Sequence, residues 1–135
     1  MAKFVLTDAN LTINSVNLSD HISSVTLDIT SDEVEDTAFG STFKSRQGGL
    51  KDGTLSIEFQ QDFASSEVDQ TLWPLLGTTT AFVLKPTSGS VSATNPSYSG
   101  NILVNQHQPV ANGVGELATM SVSFPTSGTI TRATS

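Results

Sequence analysis

The chain has 135 residues, no cysteine, and thirteen acidic against six basic side chains, for a formal net charge of −7. That length predicts one domain, 1–135, with a core of its own, and the lack of cysteine excludes a disulfide framework, a thiolate metal site and a thiol nucleophile. The acidic balance repels phosphate and argues against ordinary nucleic-acid binding, and charged residues make up only 14% of the chain against roughly 25% in typical soluble domains. Ser and Thr fill the gap. Such a surface can be covered by neighbours with little charge to desolvate, although hydroxyls equally populate exposed strands and turns.

The N-terminal segment offers three consecutive apolar residues, Phe4, Val5 and Leu6, short of the roughly 7 to 15 of a secretory core. No apolar run approaches the roughly 20 residues of a membrane span. The expectation is therefore a protein without export signal or membrane contact. Residues 11–16 form a first, irregular strand candidate. Alternation then sets in, with Val25, Leu27 and Ile29 on one face of a strand and Thr26, Asp28 and Thr30 on the other.

Residues 31–53 break the alternation. They open on the acidic run Asp32, Glu33, Val34, Glu35, Asp36, pass Phe39 and Phe43, and close on Lys44, Arg46, Gly48, Gly49 and Lys51. Connections longer than about 12 to 15 residues are uncommon in compact domains and are usually functional or disordered. The acidic first half and basic second half allow the segment to pair with itself or with its counterpart on a neighbour; a solvated loop is the plain alternative.

The period of two returns with Leu55, Ile57 and Phe59 opposite Thr54, Ser56, Glu58 and Gln60. Residues 65–77 predict a short helix flanking one sheet. Ser66 is the expected cap with Asp69 three residues on, Val68, Leu72 and Leu75 share a face, and Pro74 and Gly77 end it. Trp73 is assigned to packing in the core or an interface, in preference to ligand stacking. Residues 79–85 and 98–106 are further strand candidates. The last clean alternation places Ala118, Met120, Val122 and Phe124 against Thr119, Ser121 and Ser123. The tetrapeptide Pro-Thr-Ser-Gly recurs at 86–89 and 125–128, each time as an expected turn. Six or seven antiparallel strands predict an all-β sandwich or barrel.

Chemical motifs are weak. Gly113, Gly115 and Ala118 match the letters of a dinucleotide-binding motif, but an alternating strand follows where a helix N-terminus is needed. His21 and His107 are the only histidines; Asp20 adjoins His21, yet no Gly-x-Ser-x-Gly elbow accompanies them, so structural roles are expected. The acids at 32–36 lack the spacing of a calcium loop, and the sequons at Asn10 and Asn17 are read as chance. No catalytic, cofactor-binding or metal-binding residue is assigned, and no cofactor is expected.

Taken in order, the segments Val16-Asn17-Leu18-Ser19-Asp20-His21-Ile22, Asp36-Thr37-Ala38-Phe39-Gly40, Gly48-Gly49-Leu50-Lys51-Asp52-Gly53, Gln61-Asp62-Phe63-Ala64, Leu72-Trp73-Pro74-Leu75-Leu76-Gly77, Val91-Ser92-Ala93-Thr94-Asn95-Pro96, Tyr98-Ser99-Gly100 and Thr129-Ile130-Thr131-Arg132-Ala133 resemble the major tail (tail tube) proteins of long-tailed bacteriophages, notably those of actinobacteria. The resemblance spans nearly the whole chain. It implies a β-sandwich or half-barrel with one flanking helix, a structural virion protein and not an enzyme, and copies that form hexameric rings stacked into a tube for genome delivery. It also implies assembly in the bacterial host cytoplasm, with tail tip or initiator, tape measure and tail terminator proteins as partners. Residues 31–53 become the assembly segment, with Asp32, Glu33, Glu35, Asp36, Phe39, Phe43, Lys44 and Arg46 as contact residues. Thr26, Asp28, Glu58 and Gln60 become the lumen-facing candidates. A ring of six would carry roughly −42 formal charges, so DNA passes without adhering.

Two rivals come from other classes. A secreted-type β-sandwich binding module for carbohydrate or protein would be expected to show an aromatic sheet face, and this chain has one Trp and one Tyr. A small hydrolase would depend on His21 or His107.

Overall fold

A computed structural model describes residues 3–135, so Met1 and Ala2 of the N-terminal segment lie outside the described residues. The strands are β1 (Asn10–Ile13), β2 (Val16–Asn17), β3 (Ile22–Glu35), β4 (Arg46–Gln60), β5 (Thr79–Lys85), β6 (Ser97–Leu103), β7 (Thr119–Pro125) and β8 (Thr131–Ala133), with one short helix, α1 (Val68–Leu72). All pairings are antiparallel, in a five-stranded sheet ordered β2-β1-β5-β6-β8 and a three-stranded sheet ordered β3-β4-β7. The all-β class with a flanking helix is as expected.

Alternation explains the core. Leu11 and Ile13 of β1, Phe82 of β5 and Ile102 of β6 meet Leu55, Ile57 and Phe59 of β4 and Met120, Val122 and Phe124 of β7, all buried in one cluster. Every second side chain of a strand faces the same way, so a two-sided strand supplies one buried row. Val68 and Leu72 of α1 close the cluster, and Leu75 packs against it partly buried.

Two local expectations need correction, and a third is narrowed. Residues 11–16 are not one strand but a hairpin: Ile13 pairs with Val16 across Asn14 and Ser15, whose φ values of 51° and 65° are those of a primed two-residue turn. Ser66 does not cap the helix. It has a φ of 62°, and Glu67 holds the cap position without a side-chain hydrogen bond. The expected short helix is a single turn followed by a 3-10 turn at Trp73–Leu75. Trp73 is 61% exposed, so of its two expected places, core or interface, the core is excluded.

The largest correction concerns residues 31–53. They are mostly strand, since β3 and β4 pair without a break in the hairpin from Ile22↔Phe59 out to Glu35↔Arg46, with irregularities at Ile22/Ser24 and Ser31/Glu33. Only residues 36–45 connect them. β7 pairs with β4 from Thr54 to Gln60, so beyond Gly53 the two long strands run on as a ribbon, an arm of residues 29–35 and 46–52. Seven residues of strand extend about 23 Å. No side chain of the arm is buried, which is why its sequence shows no alternation.

Candidate assembly surfaces

The arm's acidic and basic halves face each other across the ribbon. Arg46 Nε contacts Glu33 Oε1, and Lys44 Nζ lies 3.7 Å from Glu35 Oε1. Asp36 closes the tip: it accepts from Gln47 Nε2 at 2.5 Å, and its backbone N–H donates to Ser45 O at 2.9 Å. Bonds from the Ser45 and Gln47 side chains hold its carboxyl below the usual range. Two of the segment's acids, Glu33 and Glu35, therefore pair with its bases within the chain. Asp32, also on β3, is exposed.

Its apolar side chains have no such partners. Phe39 is fully exposed, Phe43 is 86% exposed, Leu50 is 82% exposed, and Ile29 and Val34 are about half exposed. A two-stranded ribbon is marginal in water on its own. Gly53 roots the arm. Its carbonyl accepts from Thr126 N–H at 3.0 Å, and a Cβ there would lie 2.8 Å from Ile130 Cδ1.

The four candidate channel residues share one face. Asp28 pairs with Thr54, Thr26 with Ser56, Ser24 with Glu58, and Gln60 with Thr119; paired residues point to the same side. Thr26, Asp28, Glu58 and Gln60 are all exposed. With Ser121 and Ser123 they make a face of hydroxyls and two carboxylates, cross-linked by the Ser56 and Ser123 hydroxyls at 2.9 Å.

The histidines are structural anchors between distant segments. His21 Nδ1 lies 2.8 Å from Asp20 Oδ1 and 3.2 Å from Glu67 Oε2, and its Nε2 lies 2.9 Å from Asp62 Oδ2. Burial depresses the imidazole, but the bonds to Asp20 and Asp62 and the charges of Asp20 and Glu67 outweigh it, so His21 is raised above its ordinary value. Asp62 is lowered, first by the Ala64 backbone N–H, which outweighs the opposing effect of burial, and further by the bond to and charge of His21. Asp20, His21 and Glu67 offer ligand atoms within 4.8 Å of one another. With both ring nitrogens directed at carboxylates, the arrangement is that of a protonated histidine in an ion-pair cluster. His107, its side chain almost wholly buried, donates its Nε2–H to Asp69 Oδ1 at 2.9 Å, with Trp73 tilted over it at 6.2 Å between centroids. Neither histidine has a Ser hydroxyl within hydrogen-bonding distance. The glycine-rich 113–116 segment is a turn, with Gly113 N–H donating to Glu116 Oε1 at 2.8 Å.

Sequence reasoning missed Gln106 and Asn112. Gln106 Nε2 donates to Ser123 O at 2.9 Å, Asn112 Oδ1 accepts from Thr119 N–H at 2.7 Å, and Asn112 Nδ2 donates to Thr119 Oγ1 at 3.0 Å. Gln106 ends the expected strand 98–106, which stops at Leu103, and Asn112 lies in a stretch without periodicity, so nothing local marks either.

No family model and no curated protein matches the sequence. Solved structures do share its fold. In the virion of a native gene transfer agent (GTA) particle, one chain superposes with a TM-score of 0.75 at 13% identity, over 93% of this chain and 95% of that one. A chain in the tail of an empty GTA particle, refined with C6 symmetry, superposes with a TM-score of 0.68 at 12% identity, over 82% and 81%. What the chain shares with these particle components, at that identity, is its fold from one end to the other.

Proposed function

We propose that this protein is a structural subunit of a phage-like tail, whose copies form rings that stack into the tail tube. The observation that carries the reading is the fold likeness to a GTA virion chain over 93% of this chain and 95% of that one. The exposed arm supports it, because a ribbon bearing unpartnered Phe39, Phe43 and Leu50 is suited to lie against another copy. By analogy with the C6 symmetry of the GTA tail, the ring has six copies. The face carrying Thr26, Asp28, Glu58 and Gln60 lines the channel, where carboxylates and hydroxyls repel or slide past a polyanion without binding it. Its partners are copies of itself, with a tail tip or initiator, a tape measure and a tail terminator at the tube's ends and interior, and its place is the virion. It performs no catalysis.

Negative-stain microscopy of the purified chain over a concentration series, with and without tail-initiation components, tests this. Rings or open-ended tubes are expected. Strictly monomeric material at high concentration under both conditions would falsify the reading.

A further inference from the structure

The turn that leads into β3 and the segment that follows β4 meet at His21, and more negative charge gathers there than the imidazole offsets. Asp20, Asp62 and Glu67 bring three carboxylates to one ring. Among the described residues no Lys or Arg stands within ion-pairing distance of these acids, so three carboxylates against one imidazolium leave two charges unmatched. Carboxylates held this close repel one another. A further positive charge is what the cluster lacks.

The spacing is that of a coordination shell. His21 Nδ1 lies 2.8 Å from Asp20 Oδ1 and 3.2 Å from Glu67 Oε2, and the three atoms all lie within 4.8 Å of one another. With metal–ligand bonds of about 2.0–2.2 Å, neighbouring ligand atoms stand about 2.8–3.1 Å apart in an octahedral shell and about 3.3–3.6 Å apart in a tetrahedral one. Both distances from Nδ1 match the octahedral spacing. The other ring nitrogen is held in turn: Nε2 lies 2.9 Å from Asp62 Oδ2, and Asp62 Oδ1 accepts from Ala64 N–H at 2.8 Å. A carboxylate on the far nitrogen of an imidazole fixes the tautomer that leaves the near nitrogen free to bind a metal. His21, Glu67 and Asp62 are partly buried, while Asp20 is largely exposed and borders a groove of about 560 Å³ through which an ion can enter.

We propose that Asp20 Oδ1, His21 Nδ1 and Glu67 Oε2 bind one divalent transition-metal ion, with water completing its shell, and that Asp62 is the positioning residue for the imidazole. A nitrogen among the donors favours ions of the zinc type over Mg²⁺ and Ca²⁺, whose shells are built of oxygen. The ion takes the place of the proton that Nδ1 holds when no metal is present. It ties the entry of β3 to the segment between β4 and α1, so it acts on the body of a single chain and does not depend on assembly.

Two measurements on the full chain, stripped beforehand with a chelator, test this. In the first, nitrogen NMR of the imidazoles follows the unaltered chain as Zn²⁺, which has no geometric preference of its own, is added. His21 Nδ1 is expected to lose its proton and shift as a metal-bound nitrogen, while Nε2 keeps its proton toward Asp62. Unchanged His21 nitrogens in excess Zn²⁺, or a shift at His107 in their place, overturn the site. In the second, titration calorimetry compares variants. Glu67→Gln is expected to weaken Zn²⁺ binding about tenfold or more, and Asp62→Asn, which removes no ligand, about 10–100-fold, whereas Asp32→Asn on the exposed arm leaves it unchanged. Mg²⁺ bound as tightly as Zn²⁺, or the same loss from Asp32→Asn as from Glu67→Gln, would mean that the acids merely gather cations, and overturns the proposal. Because the first measurement uses the unaltered chain, a variant that fails to fold leaves the test intact.

Discussion

The sandwich body and the arm are built from the same two strands and obey opposite rules. Within the body, β3 and β4 give alternate residues to a core that includes Leu55, Ile57 and Phe59, all nearly or fully buried. Past Gly53 the same strands bury nothing, and what holds them is the hairpin ladder and a few exposed ion pairs. The body's stability is its own, from apolar burial. The arm has no such burial, and on the proposed reading its stability comes from another copy that covers it.

Substitutions should separate the two regions. The largest effect on folding is expected for Phe59→Ala or Phe124→Ala, which leave cavities in a closed core and cost about 3–5 kcal/mol. Chemical denaturation checks this, and a loss below about 1 kcal/mol would mean that the sheets are not packed as described. Phe39→Ala/Phe43→Ala should change folding stability by no more than about 0.5 kcal/mol while sharply reducing tube yield by sedimentation; a large stability loss would place the arm in the fold instead of the interface.

Gly53→Val tests the boundary itself. Its side chain would run into Ile130 and Thr126, and overpacking of this kind costs about 1–3 kcal/mol. Unchanged denaturation would show that the root of the arm yields.

The His21 cluster gives a smaller, pH-dependent effect. His21 is raised in the fold, so its stabilisation is complete below the unfolded value of about 6.5 and is lost as pH rises through the folded value. Asp62 is lowered, so its share is present above about 3.9 and is lost as pH falls through its folded value. The melting-temperature difference between the native chain and His21→Gln should therefore be larger near about pH 5 than near about pH 9. A difference that is flat or grows with pH contradicts the cluster. Least of all is expected from Lys44→Ala, whose exposed pair with Glu35 is worth at most about 0.5–1 kcal/mol.

Body and arm also differ in how far the sequence revealed them. Val25, Leu27 and their counterparts at 55–59 and 118–124 could be read because one face of each strand packs on the core. The arm could not, since both of its faces are wet and Gly48, Gly49 and the charges have the composition of a loop; the pairing of Glu35 with Arg46 is tertiary information. Asn14 did offer a usable signal, as Asn at the first position of a two-residue turn tolerates a positive φ, yet the apolar residues around it read as a single strand. Trp73 was expected in the core or an interface, and the fold excludes the core by leaving it on the outside over His107. The eight candidate residues of the assembly segment are brought together on one arm and the four channel candidates on one face. Gln106, Asn112 and the carboxylates around His21 meet only through folding, and no spacing in the chain announces them.

The most direct test replaces residues 33–46 with a two-residue Asn-Gly turn, which closes the hairpin near the body. The account predicts a folded monomer whose core melts nearly as in the full chain and which forms no tubes at concentrations where the full chain does. Tubes of normal yield from the shortened chain would contradict it.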